Sequence, residues 1–215
     1  MTYLILARHG ETDWAHEGRI QGHAQIELNQ AGINQAITLA NRLRFIKIDR
    51  IYSSDLRRAL QTAQIVADEK KIPIQRLVSL RERDYGWRQG KTWSEAYLEG
   101  AIVPAADIKP PALPEGELPE HFRKRIVDQI ALICAENSDK VLLVITHAGA
   151  IDVILQQSLN ISKVSSRGIK IDFCIPFLFA FDLETLQLRC WDTAESCLAQ
   201  ADCILHQQSR AIGKC

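Results

Sequence analysis

The feature that most constrains the fold of this chain is the regular exchange of two patterns along its first 160 residues. Short apolar runs of strand length alternate with segments whose apolar residues recur at the spacing of a helix. The runs typical of strands are 3–7, 49–54, 72–77 and 140–146. The segments typical of helices are 29–46, 55–70, 119–136 and 149–159. This alternation predicts an α/β fold, a three-layer α/β/α sandwich with a mainly parallel central sheet.

Three local features qualify this pattern. Asp55 stands where its side chain would cap the helix that follows it. Residues 101–119 hold five of the seven prolines and are expected to be irregular, and we interpret 91–119 as a lid-like insertion. After residue 160 the apolar runs become shorter, at 169–183 and 186–191, which predicts later strands, some of them antiparallel.

Length and composition narrow the class of protein. A length of 215 residues fits a single domain over 1–195, followed by a C-terminal tail over 196–215 that has no place in the scheme above. The 26 basic and 26 acidic residues balance, so no net field draws the chain to nucleic acid or to an anionic membrane. No apolar run reaches the ~18 residues of a membrane span, and the first residues lack the basic segment of a secretory signal. The six cysteines form no Cys-x-x-Cys pair, which favours a cytoplasmic protein with free thiols.

Basic side chains gather at the predicted ends of neighbouring strands. One strand ends in LARHG, which carries Arg8 and His9, and another ends in VITHAG, which carries His147. A third strand leads into a helix with Arg57 and Arg58 in its first turn. Because ligands bind beyond the carboxyl ends of parallel strands, we expect the two histidines, Arg8 and one of the two helix arginines to meet at one edge. Such a group of donors, close to helix N-termini, predicts an anion site.

Five motifs in a fixed order carry a family resemblance. RHGETDW, with GRIQG and LNQAG behind it, is followed by SSDLRRALQTAQIV, LRERDYGWRQGKT, PEGELPEHFRKRI and VITHAGAI. Together these segments resemble the histidine phosphatase superfamily, which has the phosphoglycerate mutase-like fold, and the resemblance spans roughly residues 4–152. It therefore implies a phosphoglycerate mutase-like fold and phosphoryl chemistry on a small phosphorylated metabolite.

The resemblance implies a role for five side chains. His9 would attack phosphorus and become a phosphohistidine, and Glu82 would serve as general acid and then as general base. Arg8, Arg58 and His147 would bind the phosphoryl group and stabilise its charge, with His147 expected as the imidazolium. An attacking imidazole must be neutral, and the two neighbouring arginines should lower the pKa of His9 and keep it so.

The remaining expectations concern binding and cofactors. By resemblance Arg58, rather than Arg57, is the motif arginine, Gln21 and Gly22 line the substrate entrance, and the backbone N–H of Ala148 donates to the ligand. The scheme needs no metal and no cofactor, and the sequence has neither a Mg²⁺-type carboxylate cluster nor a Walker-type phosphate loop. The oligomeric state is left open, with a homodimer as one candidate.

Three functions remain open at this stage. A phosphatase would pass the phosphoryl group from His9 to water, and a phosphoglycerate mutase would return it to another hydroxyl of the substrate. A catalytically weak binding module is the third, because Ala15 stands where many family members have a phosphate-binding asparagine. The insertion over 91–119 has two lysines against five acidic residues, a poor receptor for a bisphosphorylated acid, so we favour the phosphatase.

Overall fold

A six-stranded sheet forms the centre of the computed structural model, which describes residues 1–102, 116–159, 169–182 and 187–193. In chain order the strands are β1 (Thr2–Arg8), β2 (Arg50–Ser53), β3 (Ile74–Arg76), β4 (Val141–Thr146), β5 (Pro176–Asp182) and β6 (Gln187–Thr193). Across the sheet they follow the order β3-β2-β4-β1-β5-β6. The first four are parallel to one another, and β5 and β6 are antiparallel to their neighbours. The mainly parallel sheet with antiparallel later strands is thus confirmed.

Helices cover both faces of this sheet. In chain order they are α1 (Asp13–His16), α2 (Gln30–Leu43), α3 (Arg57–Lys70), α4 (Trp93–Ile102), α5 (Pro119–Ala135) and α6 (Ala148–Leu159). One apolar core lies between the sheet and α2 and α3, and a second lies between the sheet and α5 and α6. Two cores on opposite faces of one sheet make the three-layer α/β/α sandwich that the sequence predicted.

The central strands are apolar throughout because each of their faces is buried. Along β1 the side chains of Tyr3, Ile5 and Ala7 enter the α2–α3 core, whereas Leu4 and Leu6 enter the α5–α6 core. All six residues of β4 are buried as well. Parallel strands covered by helices on both sides read as continuous apolar runs rather than as alternating ones, and this is the origin of the strong strand signals.

The expected cap of α3 is wrong. Helix α3 begins at Arg57 after Leu56, and no side chain caps it. The Asp55 carboxylate instead accepts two hydrogen bonds from the Arg81 guanidinium, at 2.7 and 2.5 Å. A paired guanidinium competes better for a carboxylate than a single backbone N–H does. The bond ties the start of α3 to the segment that precedes Glu82.

The insertion contains a helix that the sequence did not predict. Helix α4 occupies Trp93–Ile102 and extends past residue 101, where irregular chain was expected. Residues 103–115 of the insertion, 160–168 and the tail over 196–215 lie outside the described residues. Within the described residues, every helix is too short or too polar to cross a bilayer.

Candidate active site

The ends of β1 and β4 bring two histidines together. The strands are adjacent and parallel with Arg8 opposite Thr146, so the next residues are His9 and His147. The backbone N–H of His9 donates to the carbonyl of Thr146 at 3.0 Å. The two imidazole rings are both buried, with centroids 5.2 Å apart and planes inclined by 59°. His9 and His147, which are far apart in the sequence, thus lie close together, as the strand-end pattern predicted.

The hydrogen bonds of His9 define its tautomer. Nδ1 lies 2.7 Å from the carbonyl oxygen of Gly10, which can only accept, so Nδ1 carries the proton. Nε2 in turn accepts a hydrogen bond from Nε–H of Arg58 at 3.2 Å. In the free site the lone pair of Nε2 is therefore engaged by Arg58, and the ring is oriented by its own backbone.

The pKa of His9 is held well below its usual value of 6.5, mainly because the ring is buried. The positive charges of Arg58 and Arg8 act in the same direction, and the hydrogen bond to Gly10 opposes them in part. The sequence pointed to the arginines but not to burial, which is the larger cause. Both effects favour the neutral ring, the form in which an imidazole is a nucleophile.

Arg58 is buried beside His9, with 1% of its surface exposed. Its two terminal nitrogens donate to the carbonyls of Gly22 at 2.7 Å and Ala24 at 2.9 Å. Burial lowers its pKa to about 10, so the guanidinium remains charged at neutral pH. Its neighbour Arg57 is exposed and pairs with Glu27 at the surface. Of the two arginines in this turn, the one selected by resemblance is the one that lies in the site.

Gly22 is a glycine for a steric reason. Its φ is +49°, and a β-carbon added there would lie 2.2 Å from the amide oxygen of Gln89. Its carbonyl holds Arg58, so its contribution is to position the guanidinium. The neighbouring Gln21 has a buried amide oxygen with no hydrogen-bond partner in the described structure.

Arg8 is fixed on the other side of the histidines. Its guanidinium lies 3.8 Å from the ring centroid of Phe173 and donates through Nη1 to the carbonyl of Ile171 at 3.0 Å. Its Nε is buried and finds no acceptor among the described residues. Burial lowers the pKa of Arg8, and the charge of Glu82 opposes that shift.

His147 is fully buried and bonded through Nε2 to the hydroxyl of Ser54 at 2.9 Å. Its Nδ1 is buried with no partner in the described residues. Burial, followed by the charge of Arg58, lowers its pKa well below 6.5. The expected imidazolium is thus disfavoured in the free site, since sequence reasoning did not anticipate how deeply this ring is buried.

Glu82 is seated by two backbone N–H groups. Its carboxylate accepts from Arg83 at 2.8 Å and from Gly149 at 3.0 Å. A β-carbon on Gly149 would lie 2.3 Å from that carboxylate, so a larger residue there would require the Glu82 side chain to move. Ala148, which precedes it, is the first residue of α6. Glu82 interacts electrostatically with the site arginines, raising the pKa of Arg58.

The segment that carries Glu82 is held by side chains that sequence reasoning missed. Arg125 of α5 donates to the carbonyls of Ser79 at 2.8 Å and Arg81 at 3.0 Å. It also bonds both carboxylate oxygens of Glu117, at 2.8 and 2.6 Å. Nothing distinguishes Arg125 from the other cations of the motif EHFRKRI in the sequence, and nothing marks Phe173 beneath Arg8.

The unpartnered nitrogens of the site are suited to an anion. No group of three or more His, Cys, Asp or Glu side chains in the described ranges could hold a metal ion. Arg8 Nε and His147 Nδ1 are buried nitrogens without partners in the part of the chain that the structure describes, and an unsatisfied buried polar atom costs about 1–3 kcal/mol. An anion carrying several oxygens would satisfy both.

Comparison with known proteins agrees with this chemistry. Proteins similar to the chain include a metal-independent phosphoserine phosphatase of Arabidopsis thaliana, 34% identical over 78% of this chain and 72% of the relative. An adenosylcobalamin/α-ribazole phosphatase of Salmonella typhimurium is 30% identical over 75% of this chain and 82% of the relative.

Solved structures give the same result. A phosphoserine phosphatase from Entamoeba histolytica superposes with a TM-score of 0.74 and 26% identity, over 91% of this chain and 98% of that one. The model of the histidine phosphatase superfamily, branch 1, matches residues 4–194. This chain therefore belongs to the histidine phosphatase superfamily, branch 1, the family that the order of its motifs predicted, and is an enzyme of the phosphatase type.

Proposed function

We propose that this protein hydrolyses the phosphomonoester of a small metabolite through a phosphohistidine on His9. The observation that carries the proposal is the neutral, oriented His9 ring, whose Nε2 faces the buried Arg58 guanidinium and whose centroid lies 5.2 Å from that of His147. A neutral imidazole surrounded by basic side chains is better suited to attack on phosphorus than to a role in structural packing.

In the first step the Nε–H of Arg58 shifts from Nε2 of His9 to an oxygen of the bound phosphoryl group. Nε2 then forms a bond to phosphorus while the bond from phosphorus to the ester oxygen breaks. The departing alkoxide takes a proton from Glu82, whose carboxyl group is oriented by Arg83 and Gly149. In the second step Glu82 removes a proton from water, which attacks phosphorus and releases inorganic phosphate. His9 and protonated Glu82 are thereby regenerated.

The basic residues around His9 stabilise the transferred group. A phosphate ester carries about −1.5 to −2 charges at neutral pH. Arg8 and Arg58 each offer a guanidinium, and His147 offers the unpartnered Nδ1, to the equatorial oxygens. A charge-assisted bond contributes roughly 1.5–3 kcal/mol. A bound dianion also favours the imidazolium, so it raises the pKa of His147 when substrate is present.

The choice between phosphatase and mutase rests on charge. Relatives of the chain carry both kinds of name, including a 2,3-bisphosphoglycerate-dependent phosphoglycerate mutase of Streptococcus gordonii at 27% identity. The segment over 91–119 has two lysines and five acidic residues, of which Glu117 is paired with Arg125. The remaining excess of negative charge disfavours a second phosphate on the substrate. This supports transfer to water.

The proposal is tested with two substrates. Purified protein is given p-nitrophenyl phosphate and, separately, 3-phosphoglycerate with its bisphosphate primer, in the presence and absence of EDTA. We expect free phosphate from the first, unaffected by EDTA, and none from a folded His9→Asn variant. Exchange of phosphoglycerate isomers without phosphate release would favour the mutase. No reaction with either substrate would favour a binding module. Strong inhibition by EDTA would contradict the mechanism.

A further inference from the structure

A cavity of about 420 Å³ lies next to Glu82 and takes no part in the steps above. Its wall is formed by the loop after Glu82, by the start of α5 and by the first turns of α6. Arg83 and Gly149 belong to this wall, and they are also the residues whose N–H groups hold the Glu82 carboxylate. The ester oxygen must reach Glu82 to be protonated, so the alcohol attached to it is the part of the substrate closest to this cavity.

The cavity is lined by charges of both signs. Arg83 and Arg123 supply two guanidinium groups, and Asp152 and Glu120 supply two carboxylates. Asp152 and Arg123 are partly buried, whereas Glu120 is exposed in the first turn of α5, where a carboxylate complements the helix dipole. A ligand that carries groups of both signs can therefore form ion pairs with this wall.

These charges have only uncharged partners in the described structure. Arg123 donates to the amide oxygens of Gln156 at 3.2 Å and Gln157 at 3.0 Å. Asp152 accepts from the amide nitrogen of Gln156 at 2.8 Å. Arg83 donates through Nε to a backbone carbonyl at 2.8 Å. None of the three forms an ion pair with another described residue, so each remains available to a charged ligand.

We propose that this cavity binds the alcohol portion of the substrate, and that this alcohol is a small zwitterion with one ammonium and one carboxylate. The inference rests on the proposed phosphatase function. Asp152 receives the ammonium, and Arg123, with Arg83 beside it, receives the carboxylate. An alcohol with a carboxylate but no ammonium would be repelled by Asp152 and Glu120. An alcohol with only an ammonium would leave the guanidinium groups without a partner.

Four phosphate esters of similar size test the two charges separately. O-phospho-L-serine carries both groups, 3-phosphoglycerate only the carboxylate, O-phosphoethanolamine only the ammonium, and glycerol 1-phosphate neither. We expect kcat/KM for O-phospho-L-serine to exceed that of each single-charge ester about tenfold or more, the effect of one charge-assisted hydrogen bond. Glycerol 1-phosphate should be the poorest of the four.

Two substitutions assign each charge to its side chain. Asp152→Asn should lower the ratio of kcat/KM for O-phospho-L-serine to that for 3-phosphoglycerate about tenfold. Arg123→Gln should lower the ratio of O-phospho-L-serine to O-phosphoethanolamine by a similar factor. Lys124→Gln is the matched control, since Lys124 is exposed and pairs with Asp128 on the same helix face. It should leave both ratios within twofold of wild type.

The outcomes separate this inference from the proposed function. If p-nitrophenyl phosphate is hydrolysed but the four esters differ by less than about threefold, the zwitterion site is refuted while the phosphatase stands. A preference for 3-phosphoglycerate would likewise refute it. If no ester releases phosphate, the proposed function fails. Calorimetric titration then still tests the cavity, because O-phospho-L-serine should bind more tightly than 3-phosphoglycerate to wild type and not to Asp152→Asn.

Discussion

Arg57 and Arg58 are chemically identical neighbours that differ only in where α3 points them. Arg58 lies under Gly22 and Ala24 and bonds His9, whereas Arg57 reaches Glu27 at the surface. The residue pattern alone did not decide which of the two arginines lies in the site. The start of a helix in the sequence does not show which of its side chains will face the sheet. The family motif identified the buried one.

This pair supplies a matched test. Arg58→Ala should lower kcat/KM for p-nitrophenyl phosphate by about 10²–10³, the cost of removing one donor to a developing anion. Arg57→Ala should stay within about twofold, because an exposed ion pair contributes little. Equal losses in steady-state assays of the two variants would contradict the assignment of the phosphate site.

Gly149 has a specific task in the structure, because its backbone N–H holds the carboxylate of Glu82. Replacing Gly149 with alanine puts a β-carbon 2.3 Å from Oε1 of Glu82 and must displace the acid. Loss of general acid catalysis should lower kcat about 10²-fold or more for alkyl phosphates. It should lower kcat much less for p-nitrophenyl phosphate, whose leaving group needs little protonation.

A double variant controls for this effect. In a Glu82→Ala background the clash is absent, so Gly149→Ala should change kcat no further. An additive loss in the double variant would mean that Gly149 acts on catalysis by a route other than Glu82.

The elements were predictable where packing is periodic and were missed where it is not. The two buried faces of the central strands left clear signals in the sequence. Helix α4 left none, because its large apolar side chains Trp93, Tyr97 and Leu98 are all exposed. The attachment of the Glu82 segment to α5 also left no signal in the sequence, because it depends on one arginine that donates to backbone carbonyls.

These contacts of Arg125 predict that replacing it lowers both the stability and the activity of the protein. Arg125→Met removes the partner of Glu117 and of three carbonyls, and should lower the free energy of unfolding by about 2–4 kcal/mol. Lys124→Met, next to it on the exposed face, should change that free energy by less than about 0.5 kcal/mol. Urea unfolding of both variants measures the change in stability, and kcat for p-nitrophenyl phosphate measures the change in activity. If Arg125→Met matched Lys124→Met, α5 would not be what holds the Glu82 segment.

For the whole molecule, the sheet topology is what places the site. The sequence predicted a parallel sheet and two histidine-ended strands, and the order β2-β4-β1 makes those strand ends neighbours. It could not predict how deeply the rings would be buried, because burial depends on how the helices and loops close over the strand ends. Deep burial of His9 and His147 is therefore a property of the assembled fold.

This burial makes stability depend on pH. The pKa values of His9 and His147 are well below 6.5 in the folded protein, whereas those of unfolded histidine are ~6.5. Below that value the unfolded chain binds more protons than the folded one, so the free energy of unfolding falls as the pH falls. Each ring contributes up to about 1.4 kcal/mol per pH unit.

Urea unfolding between pH 7.5 and 5.5 measures this slope. The double variant His9→Asn/His147→Asn should lose most of it, and His121→Asn, exposed on α5, should keep it. Identical slopes in wild type and in the double variant would show that the two rings take up protons in the folded state.

The central claim is that one phosphoryl group travels through His9, and trapping that adduct tests it most directly. ³²P-labelled substrate is mixed with the enzyme, quenched in alkali within milliseconds and digested for peptide mapping. The mechanism predicts label on the peptide that contains His9, stable in alkali and lost in acid, and none in the His9→Asn variant. Rapid release of phosphate with no adduct, or an adduct on another residue, would contradict it.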